Sequence, residues 1–134
     1  MTTLTNATTI AHTLIAGALA DGGATVSPVP GILAPRDGYM VGVPAHVAVL
    51  PSTLSPAEML DAAAQWVERV RNRAAWHGYF LGSWVGPEGV YLDVSERIAG
   101  SADALAAGII RGELAVWDIA ARAEVPTGVG VVAA

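Results

Sequence analysis

The stretch Trp76–Gly128, WHGYFLGSWVGPEGVYLDVSERIAGSADALAAGIIRGELAVWDIAARAEVPTG, decides the fold, because two strands, a helix and a further strand can be read from it in order. Tyr79 to Val85 is the first strand and Val90 to Val94 its partner. The glycine- and proline-bearing turn Gly86-Pro87-Glu88-Gly89 joins them, with Trp84 and Tyr91 near its tip. In the second strand, period-two alternation turns Val90, Leu92 and Val94 inward and leaves Tyr91 and Asp93 on the other face. Ser101 is then read as the N-cap of a short helix presenting Ala102, Leu105, Ala106, Ile109 and Ile110, which Gly112 ends. Glu113 to Ile119 follows as a strand apolar on nearly both faces, which predicts a central place in a sheet.

Working outward, Ala7, Ile10, Ala11, Leu14, Ile15 and Ala18 recur at helical spacing over residues 5 to 20, and Asp21-Gly22-Gly23 supplies a stop. Ala24–Val29 and Tyr39–Val43 read as two strands of a hairpin with a long, proline-rich connection. His46–Leu50, between Pro44 and Pro51, has the character of an edge segment. Ser55-Pro56-Ala57-Glu58 is a capping box with proline at the first helical position. The helix it opens carries a stripe of Leu60, Ala63, Ala64, Val67, Val70 and Ala74 with Trp66 on its border, and should end near Ala75. The fold class expected is therefore α+β, a mainly antiparallel sheet with about three helices in the order α-β-β-α-β-β-α-β. The chain is read as a single domain over 1–134, with the apolar, small-residue stretch 125–134 as a C-terminal arm.

Composition narrows the function classes. With 134 residues, 53% hydrophobic and 14% charged, one core suffices, and no run approaches the roughly 18 apolar residues of a membrane span. Neither a signal peptide nor a membrane anchor is read. The net charge is −5, and all seven basic residues are arginine. The absence of lysine beside abundant Ala, Gly and Val suggests a GC-rich genome, while an acidic chain has no general pull on a phosphate backbone, so nucleic acid is not the expected partner. The best basic cluster is Arg69, Arg71 and Arg73, with Arg36 a further candidate nearby; on a helix 69 and 73 share a face and 71 points elsewhere, which reads as a solvated helix end. Without cysteine there is no disulfide, thiolate metal site or cysteine nucleophile, which fits a reducing cytoplasm.

The segments Gly22-Gly23-Ala24-Thr25-Val26, Gly38-Tyr39-Met40-Val41-Gly42-Val43, Gly82-Ser83-Trp84-Val85, Val90-Tyr91-Leu92-Asp93-Val94-Ser95, Ala115-Val116-Trp117-Asp118 and Val125-Pro126-Thr127-Gly128 resemble a group of small proteins of actinobacteria and their phages or mobile elements. The resemblance implies an origin but no chemistry, and no catalytic residue comes with it. Where such relatives carry a polar residue, often asparagine or glutamine, ahead of the Ala-x-Trp-Asp strand, this chain has Ile110-Arg111-Gly112-Glu113.

No catalytic, metal or cofactor motif stands out. His12, His46 and His77 lack the spacing of helix-borne metal ligands, and the glycines of residues 82–89 match no phosphate loop. Asp93 and Asp118 interrupt apolar strands. As a pair they could share a proton, hold a divalent cation or work with His77 as an acid–base set; singly, each would face solvent, pair with Arg97 or Arg122, or cap its strand's end. The binding candidates are Trp76, Trp84, Tyr91, Asp93 and Asp118. The expected function is a non-enzymatic accessory protein of a phage or mobile element, without cofactor, acting in the host cytoplasm through protein binding and self-association. Two alternatives are a structural subunit of a phage particle, located in the virion, and a small hydrolase or nucleotide-binding factor.

Overall fold

The computed structural model describes residues 3–44 and 46–130. Among the described residues, three helices and seven antiparallel strands give the α+β class that the sequence predicts. In chain order they are α1 (Ala7–Asp21), β1 (Gly23–Val26), β2 (Tyr39–Gly42), β3 (Ala48–Pro51), α2 (Pro56–His77), β4 (Phe80–Gly86), β5 (Gly89–Ile98), α3 (Ser101–Ile110), β6 (Ala115–Asp118) and β7 (Ala123–Pro126). The chain divides into two compact units, residues 1–34 with 45–94 and residues 35–44 with 95–134; β5 contributes its residues to Val94 to the first and those from Ser95 to the second. Among the described residues, no helix is long and apolar enough to cross a membrane.

In the first unit the strand order is β1-β4-β5, with β3 also on β5. Helix α1 begins where the Asn6 side chain accepts the Thr9 amide at 2.8 Å, and it buries the six residues its spacing picks out, from Ala7 to Ala18. The capping box of α2 is formed: the Ser55 amide donates to Glu58 at 2.9 Å and the Glu58 amide to Ser55 Oγ at 3.2 Å. This helix runs on to His77, where Gly78 caps it. Trp66 belongs to its centre and not its border, 3% exposed, with Nε1 donating to the His46 carbonyl at 3.0 Å. Met59 is buried in the stripe, whereas Leu60 and Ala64 are only half-buried. The stripe is rotated toward the indole because Trp66 is its bulkiest member and its N–H has a partner inside. In the sheet, Val90, Leu92 and Val94 are buried as alternation requires, and Ser83 Oγ donates to the Leu14 carbonyl at 2.7 Å, tying β4 to α1.

The β1–β2 hairpin read from sequence does not form. β1 pairs with β4, from Gly23↔Trp84 to Val26↔Leu81, while β2 belongs to the second unit. Alternation specifies a strand and its buried face but not its neighbour, and β1 follows α1 through a tight turn that lays it against that helix.

In the second unit the order is β5-β2-β6-β7: β2 pairs with Ser95–Ile98 on one side and Trp117–Asp118 on the other, and β6 pairs with β7 along its length. β6 is shorter than the Glu113 to Ile119 read from sequence and is not central: it is paired on both sides but lies next to the edge strand β7, and it buries Val116 on one face while Trp117 on the other stays 42% exposed. β7 is a strand in what sequence presents as loop and tail; Val125 and Pro126 of the expected arm belong to it, and residues 131–134 of that arm lie outside the described residues. Val41, Ala104 and Val116 form the core, with Tyr39, Ile98, Leu105, Ala107 and Val125 half-buried around it. Two readings of α3 are corrected. Its N-cap is Gly100, without a side-chain cap bond, and Ser101 is the first helical residue. Its inward face is Ala104 and Gly108, leaving Ile109 and Ile110 exposed, because a Cβ on Gly108 would meet Val116 Cγ1 at 2.9 Å and only that bare backbone lets the helix come so close. Arg111, past the end of α3, donates to Glu96 and to the Gly42 carbonyl, fastening the helix end to β5 and β2.

Candidate functional site

The tip of the β4–β5 hairpin gathers the most exposed aromatic surface that the sheet of the first unit offers. Its turn has two residues, Pro87 and Glu88. Ser83 faces α1, so alternation turns Trp84 to the opposite face, and Tyr91, between buried Val90 and Leu92, turns the same way. The two rings stack with centroids 4.1 Å apart and planes at 14°. Such a pair contributes about 1 kcal/mol beyond its burial, yet Trp84 stays 44% exposed. Gly86 makes the stack possible: a Cβ there would lie 2.5 Å from Tyr91 Cε1 and 2.9 Å from Trp84 Cζ3. Gly89, at φ 144°, closes the hairpin against β3, where a Cβ would fall 2.0 Å from the Leu50 carbonyl oxygen.

The electrostatics of the tip are acidic. The Tyr91 hydroxyl is held above its ordinary pKa of 10.0, first by desolvation, then by the charge of Glu88 and by its hydrogen bond to that carboxylate. The strands and hairpin turn of the first unit carry no basic residue. On the opposite face of the same tip, an open cleft of about 320 Å³ is lined mainly by apolar side chains, among them Leu19, Leu54, Met59, Val85 and Pro87. It can receive an apolar side chain.

The other residues singled out from sequence lie elsewhere. Trp76 is in the last turn of α2, 86% exposed, next to a His77–Tyr79 stack with centroids 5.0 Å apart. Pro56, at the other end of α2, lines the cleft at the hairpin tip, and 20 residues of helix set Trp76 about 30 Å along the axis from it. Asp93 is half-buried on the same strand as Tyr91, its Oδ1 so close to Gly82 that a Cβ there would come within 2.5 Å of it. Asp118 belongs to the second unit, where its Oδ1 accepts the Ala121 amide at 3.1 Å and closes the turn from β6 to β7. Arg97 pairs with Asp37 at 2.6 Å. Among the described residues, no group of three or more His, Cys, Asp or Glu side chains is placed to hold a metal ion.

The structure thus brings together Trp84 and Tyr91 and adds Gly86, Glu88 and the cleft, which sequence reading missed. Glycine two residues after a tryptophan on the same strand face was the available signal for Gly86. The cleft draws on α1, α2 and the loop before α2, so no local pattern announces it. Comparison with protein families, curated proteins and solved structures finds no match to this chain.

Proposed function

We propose that this protein acts by binding proteins, copies of itself included, and not by catalysis, as an accessory protein of an actinobacterial phage or mobile element. The observation that carries this reading is the Trp84–Tyr91 stack, kept at the surface over a glycine. Tryptophan and tyrosine dominate the energetics of protein interfaces, and this fold does take tryptophan inside where it needs bulk, as Trp66 does. An apolar cleft on the other face of the tip suits a protruding partner side chain. The resemblance of the strand segments supports the origin.

Photo-crosslinking in cells of the producing organism tests it. A benzophenone side chain in place of Val85 should give discrete protein adducts that disappear when Trp84→Ala is added, while the same probe in place of exposed Thr8 on α1 should not. Identical adduct patterns from the two positions would sink the reading.

A further inference from the structure

We infer that the hairpin tip receives the α2 face of a second copy of this chain: Arg69, Arg73 and Trp76 of one molecule dock on Trp84, Tyr91 and Glu88 of the next. This rests on the self-binding reading above and names the two surfaces involved. The first observation is where the cations of the first unit stand. All three are on α2. Arg71 is turned inward, donating to the Thr5 carbonyl at 2.8 Å and to Glu68 at 3.1 Å. Arg69 and Arg73 are exposed, and no ion pair holds either one among the described residues. Residues 69, 73 and 76 follow at i, i+4 and i+7, so both guanidinium groups and the Trp76 indole share one solvent-facing stripe.

The second observation is the complement of the first. The tip presents an indole face, a phenol and the Glu88 carboxylate, with no cation on the strands or turn that build it. A guanidinium stacks on an exposed indole and pairs with a carboxylate, and a second arginine one turn along the helix reaches the neighbouring group. The two surfaces cannot meet within one molecule. Pro56 marks the tip's end of α2, and Arg69 lies 13 residues on, about 20 Å along the helix. Contact between unlike surfaces of identical chains is head-to-tail, so each molecule keeps one surface free for the next.

Charge reversal tests this with the full chain. Light scattering should show association that weakens as salt rises from about 50 mM to about 500 mM. R69E/R73E and E88R should each be monomeric alone, the first with two acidic surfaces and the second with two basic ones. Mixed in equal amounts they should associate again, which also shows that both variants are folded. If the wild type associates and both variants do so equally well, self-binding stands but uses other surfaces, and this assignment falls. If each variant alone is monomeric but the mixture is too, the pairing of these two surfaces falls. A wild type that is monomeric at every salt concentration removes both this assignment and self-binding.

Discussion

Two glycines three residues apart in the hairpin are predicted to respond very differently to the same added methyl group. At Gly86 the obstructing atoms are ring carbons of Tyr91 and Trp84, both side chains that can swing into solvent. Gly86→Ala should therefore cost under about 1 kcal/mol, less than the roughly 1–3 kcal/mol of an overpacked core, while the near-ultraviolet circular dichroism of the stacked pair collapses. At Gly89 the obstruction is the Leu50 carbonyl, backbone that β-pairing holds in place, and the φ of 144° is itself closed to other residues. Gly89→Ala should cost more than about 2 kcal/mol by urea denaturation. Tyr91 offers a second reading of the tip. With the Glu88 charge removed, Glu88→Gln should bring the Tyr91 pKa down toward 10.0, seen as earlier phenolate absorbance in an alkaline titration, with desolvation keeping part of the elevation. The sign follows from the raised value: whatever stability the neutral phenol contributes is complete below pH 10.0 and fades as pH climbs through the folded value.

At the scale of elements, what could be read in the sequence tracks how local the determinants are. The start of α2 is written in four residues, and the β4–β5 hairpin in a turn flanked by alternating side chains; both stand where expected. Trp84 and Tyr91 were legible for the same reason, since a two-residue turn fixes what lies beside it. The β1–β4 pairing, 58 or so residues apart, is a choice among strands that alternation cannot make. Short β3 and β7 carry prolines at their ends and few residues to alternate, and α3 is apolar all round, so periodicity cannot say that Ala104 and Gly108 face in while Ile110 faces out. The capping box lends itself to a direct test. Ser55→Ala should cost about 1 kcal/mol at neutral pH. The Glu58 carboxyl is held below its usual 4.5 first by the Ser55 amide and then by the Ser55 hydroxyl, so the variant should also move it back toward that value in a carbon-detected titration. Because a lowered pKa contributes stability above 4.5 that is lost as pH falls through the folded value, the gap between variant and wild type should narrow in acid.

Across the whole molecule, the two units differ in how much apolar bulk each buries. In the first, α1, α2 and the strands enclose Ile10, Leu14, Ile15, Trp66, Val67, Leu81 and Leu92, every one of them 3% exposed or less. In the second, Val41, Ala104 and Val116 form the core cluster, Met40 is buried at 9% exposure, and the side chains packed around the cluster remain half-exposed. Local opening is governed by the apolar surface it must expose, so the second unit is expected to open more readily. Native-state hydrogen exchange gives the measurement. Amides of β6 and β7 should exchange through openings of lower free energy than those of β4 and the first half of β5, although all four are antiparallel strands with ladder bonds. Val116→Ala, which removes two buried methyl groups from the smaller core, should lower the opening free energy of β6 and β7 by roughly 2 kcal/mol. Equal protection of the two sets of strands in the wild type would mean that core size does not set local stability in this fold. Protection that is unequal but indifferent to Val116→Ala would place the weakness of the second unit at its edge strand β7, and not in its core.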